Sequence, residues 1–259
     1  MNKLFKVFAM AAMLLIGSQA MAQTRGAMFL GASLPQKNYA EFDGFNEFAL
    51  MSTDVLAEDG GAGTGFNAGL KWYFNVGVEG LDVMLSVDGL YNGPCADLKN
   101  AYHDKENSYD GQIIDGSFKY NATPKYINVP AMLGLNYIYR INPNLGIYVQ
   151  AGAGGNGRFI TSMESISKAS VLGVDTQTTT IQKYDKAFSF AYQAGVGIEV
   201  AKNLVIGCSF YDLGNATVAG EQTVKTKTLN DNVSNSTTNY LEMGSVHPVM
   251  VLARIGFCF

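Results

Sequence analysis

The chain has 259 residues and a formal net charge of -4, with 15% of its residues charged. Such mild acidity gives no basic footprint for nucleic acid, and no local cluster of Lys or Arg supplies one. Twenty-nine glycines, 14 tyrosines and 15 phenylalanines against a single tryptophan suit many short strands and turns rather than a helical bundle.

At the start, Lys3 and Lys6 precede an apolar run from Val7 to Ile16 that leads to Ala20-Met21-Ala22. The pattern reads as a secretory signal peptide over residues 1–22, leaving an expected mature domain of 23–259. The run is shorter than the roughly 20 apolar residues of a membrane-crossing helix. No cysteine follows it to carry a lipid anchor. Only helices and closed barrels satisfy their backbone polar groups in lipid, so membrane residence here requires strands of period two.

The first strand, around Arg25 to Ser33, is apolar on both sides, and its facing stays open. Phe66, Ala68, Leu70, Trp72 and Phe74 then alternate with Asn67, Gly69, Lys71 and Tyr73, and Leu81, Val83, Leu85, Val87 and Tyr91 with Asp82, Met84, Ser86 and Asp88. Ile127 to Tyr139 alternates with Asn128, Pro130, Met132, Gly134, Asn136 and Arg140, and Leu145 to Ala153 with Gly146, Tyr148, Gln150, Gly152 and Gly154. The clearest segment is Phe188 to Val200, with Phe188, Phe190, Tyr192, Ala194, Val196 and Ile198 opposite Ser189, Gln193, Gly195 and Glu199. Leu204, Ile206, Cys208 and Phe210 follow, although Val205 breaks the polarity. The last segment sets Val249, Val251, Ala253, Ile255, Phe257 and Phe259 against Leu252, Arg254, Gly256 and Cys258. An apolar side toward lipid and a polar side toward a lumen is the pattern of a membrane barrel strand.

Connectors alternate in length. Short links lie at Asn75 to Gly80, Ile141 to Asn144 and Ala201 to Asn203, and long polar segments near 34–64, 92–124, 155–187 and 214–247. Short periplasmic turns and longer external loops then give eight strands with both ends in the periplasm. The expected fold is all-β: an eight-stranded antiparallel up-and-down transmembrane barrel. A soluble barrel with its apolar side inward is the alternative.

On the presumed lipid side, Trp72, Phe74, Tyr137, Tyr139, Phe257 and Phe259 gather at one set of strand ends and Phe66, Tyr91, Phe188, Phe190 and Phe210 at the other, as two interfacial aromatic girdles. The lumen charges Lys71, Asp82, Asp88, Arg140, Glu199 and Arg254 form the candidate internal cluster. Eight strands enclose just enough room for side chains, so these charges are expected to neutralise one another in a packed plug, a narrow pore being the rival.

Other motifs have ordinary explanations. Gly152, Gly154 and Gly157 spell G-x-G-x-x-G, yet no crossover helix and parallel strand follow to bind a dinucleotide. His103 and His247 have no second ligand at metal spacing; His103 near Asp104 and Ser108 is the best opening for a lipid-modifying enzyme or protease. No metal, cofactor or catalytic residue is expected. The three cysteines, Cys95, Cys208 and Cys258, are an odd number, and Cys208 and Cys258 are expected on opposite sides of the wall, without a disulfide. The first long loop carries Glu41, Asp43, Glu47, Asp54, Glu58 and Asp59 against Lys37; these acids could attract divalent cations that bridge to lipopolysaccharide, but a solvated surface is the commoner explanation and the spacing matches no calcium loop. Thr176 to Thr180 and Thr223 to Thr228 alternate like strands, as hairpins that extend the wall and offer edges to a partner strand.

The run Tyr126-Ile127-Asn128-Val129-Pro130, the turn Asn142-Pro143-Asn144, Tyr148-Val149-Gln150-Ala151-Gly152-Ala153-Gly154, Gly195-Val196-Gly197-Ile198-Glu199, Tyr211-Asp212-Leu213-Gly214 and the ending Arg254-Ile255-Gly256-Phe257-Cys258-Phe259 together resemble small outer-membrane β-barrel proteins of Bacteroidetes, the porin-family or PorT-like group. A more distant likeness extends to OmpX, OmpW and the OmpA barrel. The resemblance implies an outer-membrane location and a reading of Phe257 and Phe259 by the barrel-assembly machinery. It transfers fold better than activity. The expected role is non-enzymatic, a monomeric barrel acting in envelope structure or in binding a surface or secretion-system protein through its loops. A small-solute porin, or a PorT-like component of a protein secretion system as the resemblance implies, is the alternative.

Overall fold

Each period-two segment forms a strand, in the order β1 (Thr24–Gln36), β2 (Ala62–Asn75), β3 (Leu81–Pro94), β4 (Asp115–Ala122), β5 (Tyr126–Asn142), β6 (Leu145–Ile160), β7 (Met163–Val171), β8 (Val174–Tyr184), β9 (Ala187–Val200), β10 (Leu204–Asp212), β11 (Ala216–Thr228), β12 (Ser234–Val246) and β13 (Val249–Cys258). One helix, α1 (Ala96–Tyr109), precedes β4. The computed structural model describes residues 24–41, 61–109, 115–171, 174–228 and 233–259. The signal-peptide segment and Asp43, Glu47, Asp54, Glu58 and Asp59 lie outside the described residues.

Eight strands close a barrel in the order β1-β13-β10-β9-β6-β5-β3-β2, every neighbour antiparallel. The seam pairs β1 with β13, Met28 facing Phe257 and Ala32 facing Ala253. The facing of β1, open in the sequence, is settled by its neighbours: Phe29 and Ser33 are buried inside and Met28 and Leu30 point out.

Tight turns close the short-link end. Asn75 Oδ1 accepts the Gly77 N–H at 2.8 Å, and Asn142 Oδ1 accepts the Asn144 N–H at 2.9 Å, each side chain bonding the backbone two residues on. Between β9 and β10 the N–H of Asn203 donates to the carbonyl of Val200 at 3.2 Å, with Ala201 (φ 51°) and Lys202 (φ 65°) both in the left-handed region. Two positive φ values define the turn that matches strand twist, held here by residues that do not favour it.

Among the described residues, the second, third and fourth long connectors carry regular strands. Four contributions, β4, the β7–β8 hairpin, β11 and β12, build a second sheet in the order β12-β11-β8-β7-β4. That order repeats the barrel order β13-β10-β9-β6-β5, so the sheet continues five of the eight strands upward as an apron. Its base joins the lumen core: Val218 and Val246 pack with Tyr39, Tyr126, Tyr211 and Met250. The helix, unforeseen in the polar segment 92–124, begins where the Cys95 sulfur accepts the Leu98 N–H at 3.4 Å. Leu98 packs on Cys95 and Met163.

Candidate functional site

Pleating sends successive side chains to opposite sides of the wall, and the two populations are chemically distinct. Leu135 (54% exposed), Val149 (51%), Val196 (52%) and Ile255 (52%) belong to an outward apolar band. Phe66, Tyr137, Tyr139, Phe188, Phe190, Phe210, Phe257 and Phe259 are exposed on the same side, with Trp72, Phe74 and Tyr91 half-buried there. Phe66 and Tyr91 face each other across β2 and β3 and stack at 5.0 Å. Val249, read from sequence as outward, is buried at the rim, where the adjacent Pro248 carbonyl accepts the Leu213 N–H.

Inside, three polar layers fill the lumen. At the short-turn mouth, Glu199 is buried and accepts from Arg25 Nη1 and Arg140 Nη2, both at 2.5 Å. Both arginines line a cavity of about 820 Å³ that opens at this mouth beside Tyr73, Asp82, Ile138 and Lys202. Asp82 accepts from Asn136 Nδ2 at 3.5 Å.

The middle layer centres on Asp88, which takes the Tyr211 hydroxyl at 2.7 Å and lies 3.0 Å from Arg254 Nη1. The Arg254 contact is an ion pair rather than an aligned hydrogen bond, and the guanidinium also covers the Tyr211 ring at 5.0 Å. Lys71, 1% exposed, donates to Gln150 Oε1 at 3.0 Å and sits over Phe29. Gln150 donates on to Ser209, and Gln193 to Ser86. Buried charges must be paired or bonded in this way. Glycines make the room: a Cβ on Gly69 would collide with the Asp88 carboxylate, and one on Gly207 with the Tyr148 hydroxyl.

Near the long-loop rim, Asn156 donates to Asn128, which donates to Tyr39 Oη at 3.3 Å. Tyr39 descends from a short 3-10 turn, Lys37–Tyr39, and meets Tyr126 edge-on at 5.8 Å. Burial pushes its hydroxyl up to about 12, against the opposing effect of Arg158. Arg158 is 1% exposed and donates to the carbonyls of Val246 at 2.7 Å and Gly214 at 3.1 Å, tying both feet of the β11–β12 hairpin to β6. The six charges grouped in the sequence therefore separate: Arg140, Glu199 and Asp82 at the mouth, Asp88, Arg254 and Lys71 in the middle. Arg25 joins the mouth group and Arg158 the rim. Extending the β6 alternation past Gly154 through Asn156 would have placed Arg158 inside.

Neither histidine belongs to these layers. His103 and Asp104 stand exposed on α1 rather than in an irregular loop; the side chain of Ser108 is outside the described set. His247 Nε2 lies 2.6 Å from Asp212 Oδ1, whose other oxygen accepts the Tyr192 hydroxyl at 2.6 Å, and this network ties β9, β10 and the β12–β13 link together at the rim. The G-x-G-x-x-G glycines lie wholly within β6. Among the described residues no three His, Cys, Asp or Glu side chains converge as metal ligands. Cys208 is on the outer side and Cys258 within, and all three cysteines are free.

No family model and no curated protein sequence matches the chain. Solved structures do resemble it: Ail, the attachment invasion locus protein of Yersinia pestis (18% identity over 92% of this chain and 99% of that one, TM-score 0.36), the outer membrane protein OprG from Pseudomonas aeruginosa (11%, 91% and 94%, 0.36) and a major outer membrane protein from Thermus thermophilus (12%, 91% and 98%, 0.37). Identities and scores this low say nothing of role; the closed antiparallel barrel of eight strands rests on the hydrogen-bonded ring itself.

Proposed function

We propose that this chain is an integral outer-membrane protein whose barrel is a plugged anchor and whose apron works outside the cell. One observation carries the reading: an apolar band runs around the wall while lysine, arginine, aspartate and glutamate are buried within it. Soluble monomers rarely expose contiguous apolar patches beyond a few hundred Å², whereas lipid both covers such a band and excludes the lumen charges from it. Aromatic side chains toward both strand ends suit the two interfaces. Its partners are outer-membrane lipids, lipopolysaccharide at the apron and, during biogenesis, the assembly machinery that reads Phe257 and Phe259. Residues 1–22 serve export, and the barrel stands as a monomer in its own membrane.

The lumen layers argue for a role in envelope structure or partner binding rather than for chemistry or flow. A second reading has one observation in its favour, the cavity of about 820 Å³ at the short-turn mouth, which would be the vestibule of a narrow solute pore or of a PorT-like secretion component. Planar-bilayer recording separates the two. The purified protein, folded in detergent, is expected to insert without discrete conductance steps. Reproducible unitary openings would establish the pore, and a mature chain that stays dissolved and monodisperse without detergent would overturn the membrane reading.

A further inference from the structure

Among the described residues the apron is an open sheet whose edges are β4 and β12. They are treated differently. On β4, α1 supplies the missing partner: Glu106 Oε1 accepts the Tyr120 N–H at 2.7 Å. On β12, residues Ser234 to Tyr240 are all exposed, and the stretch Ser-Asn-Ser-Thr-Thr-Asn-Tyr has no charge and no proline. It pairs with β11 without a bulge from Ser234 to Leu241. Lysine, proline, bulges and covering helices are the usual protections of an exposed edge, and none of these is seen on this segment of β12 among the described residues.

We propose that β12 pairs with β12 of a second copy carried by an apposed membrane, joining two aprons into one ten-stranded sheet. The inference rests on the outer-membrane reading above. Symmetry excludes the alternative of two copies side by side in one membrane. Their β12 strands run in the same direction, and rotation about an axis along the strands sets N–H against N–H and carbonyl against carbonyl at each level. Copies in facing membranes run antiparallel, and a two-fold axis normal to the sheet at Thr237 makes an ordinary ladder.

The side chains fit that axis. Thr237 meets Thr237, Ser236 meets Thr238, Asn235 meets Asn239 and Ser234 meets Tyr240, each pair on one side of the sheet because partners in an antiparallel ladder share a face. No pair sets like charges together, and Thr–Thr and Thr–Ser neighbours are favourable cross-strand pairs. The same hydroxyl contact already holds the adjacent row, where Thr223 and Thr238 lie 3.1 Å apart. From the rim at Val246 to Thr237 the strand spans roughly 30 Å at about 3.3 Å per residue, so the join would form well clear of either bilayer. Seven residues a side make a small contact, below the area of stable complexes. Cohesion therefore comes from many copies acting across two surfaces, where each contact raises the effective concentration for the next.

The test uses full-length protein in two populations of phospholipid vesicles carrying different dyes. Clustering between the populations is expected to rise steeply with protein density. Placing lysines at Ser236→Lys and Thr238→Lys sets like charges opposite each other across the axis and is expected to abolish clustering. The partner variant, Ser236→Glu with Thr238→Glu, is expected to fail alone as well, and mixing lysine vesicles with glutamate vesicles is expected to restore clustering. A Thr237→Cys variant should give oxidised dimers containing both dyes' protein tags. Absence of clustering by inserted wild-type protein at every density, equal clustering by the lysine variant, failure of the charge-swapped mixture or dimers confined to one population would each overturn the inference. Failure to insert, read by loss of heat-modifiable gel mobility in wild type, would instead overturn the membrane reading.

Discussion

Glu199 and Asp88 show how single residues decide what the lumen tolerates. Glu199 has a guanidinium on each oxygen, and Asp88 has one arginine and one tyrosine. Removing one partner of a buried pair leaves an uncompensated charge, which costs roughly 3–5 kcal/mol. Arg254→Leu strands Asp88 in this way, and the folded barrel is expected to lose its compact gel mobility at a lower temperature; unchanged mobility and melting would show that the pair contributes nothing to the plug. At the β9–β10 turn the sign reverses. Ala201 and Lys202 hold positive φ, a conformation costing L-residues roughly 1–2 kcal/mol each, so Ala201→Asn with Lys202→Gly is expected to raise the urea midpoint of unfolding. Arg25 illustrates why part of the site was not legible: its function depends on Glu199, 174 residues away, and alternation cannot assign a strand whose inward positions include Ala27 and Phe29.

At the level of elements, legibility followed the contrast between the two sides of a strand. β9 announces itself because Phe188, Phe190, Tyr192, Val196 and Ile198 face one way and Gln193 and Glu199 the other. Thr176 to Thr180 and Thr223 to Thr228 signalled strands but not their pairing, since β8 and β11 meet only because β9 and β10 already hold their bases together. The helix had a local signature, residues 96–109 without Gly or Pro just after Pro94, hidden beneath its polarity. The register links the apron to the barrel yet leaves the barrel ring complete without it. Deleting 163–184 and joining the ends of β6 and β9 is therefore expected to leave a heat-modifiable barrel, while β11, deprived of β8, becomes sensitive to added protease. Loss of barrel folding in that deletion would make the apron part of the folding core.

For the whole molecule, the division of labour is vertical: an apolar band, an ionic filling with an open vestibule at one mouth, and a five-stranded sheet standing above the other. Nothing in the charge total of -4 predicts this, because the charges act by position and not by sum. The β1–β13 seam has a consequence in time. The oldest and youngest strands of the nascent chain are the ones that must meet, so no intermediate short of the last strand is free of raw edges. In the membrane proposed for it, a chain lacking β13 would present β1 and β10 to hydrocarbon with their peptide groups unmatched, and is expected to be degraded rather than to close as a smaller barrel.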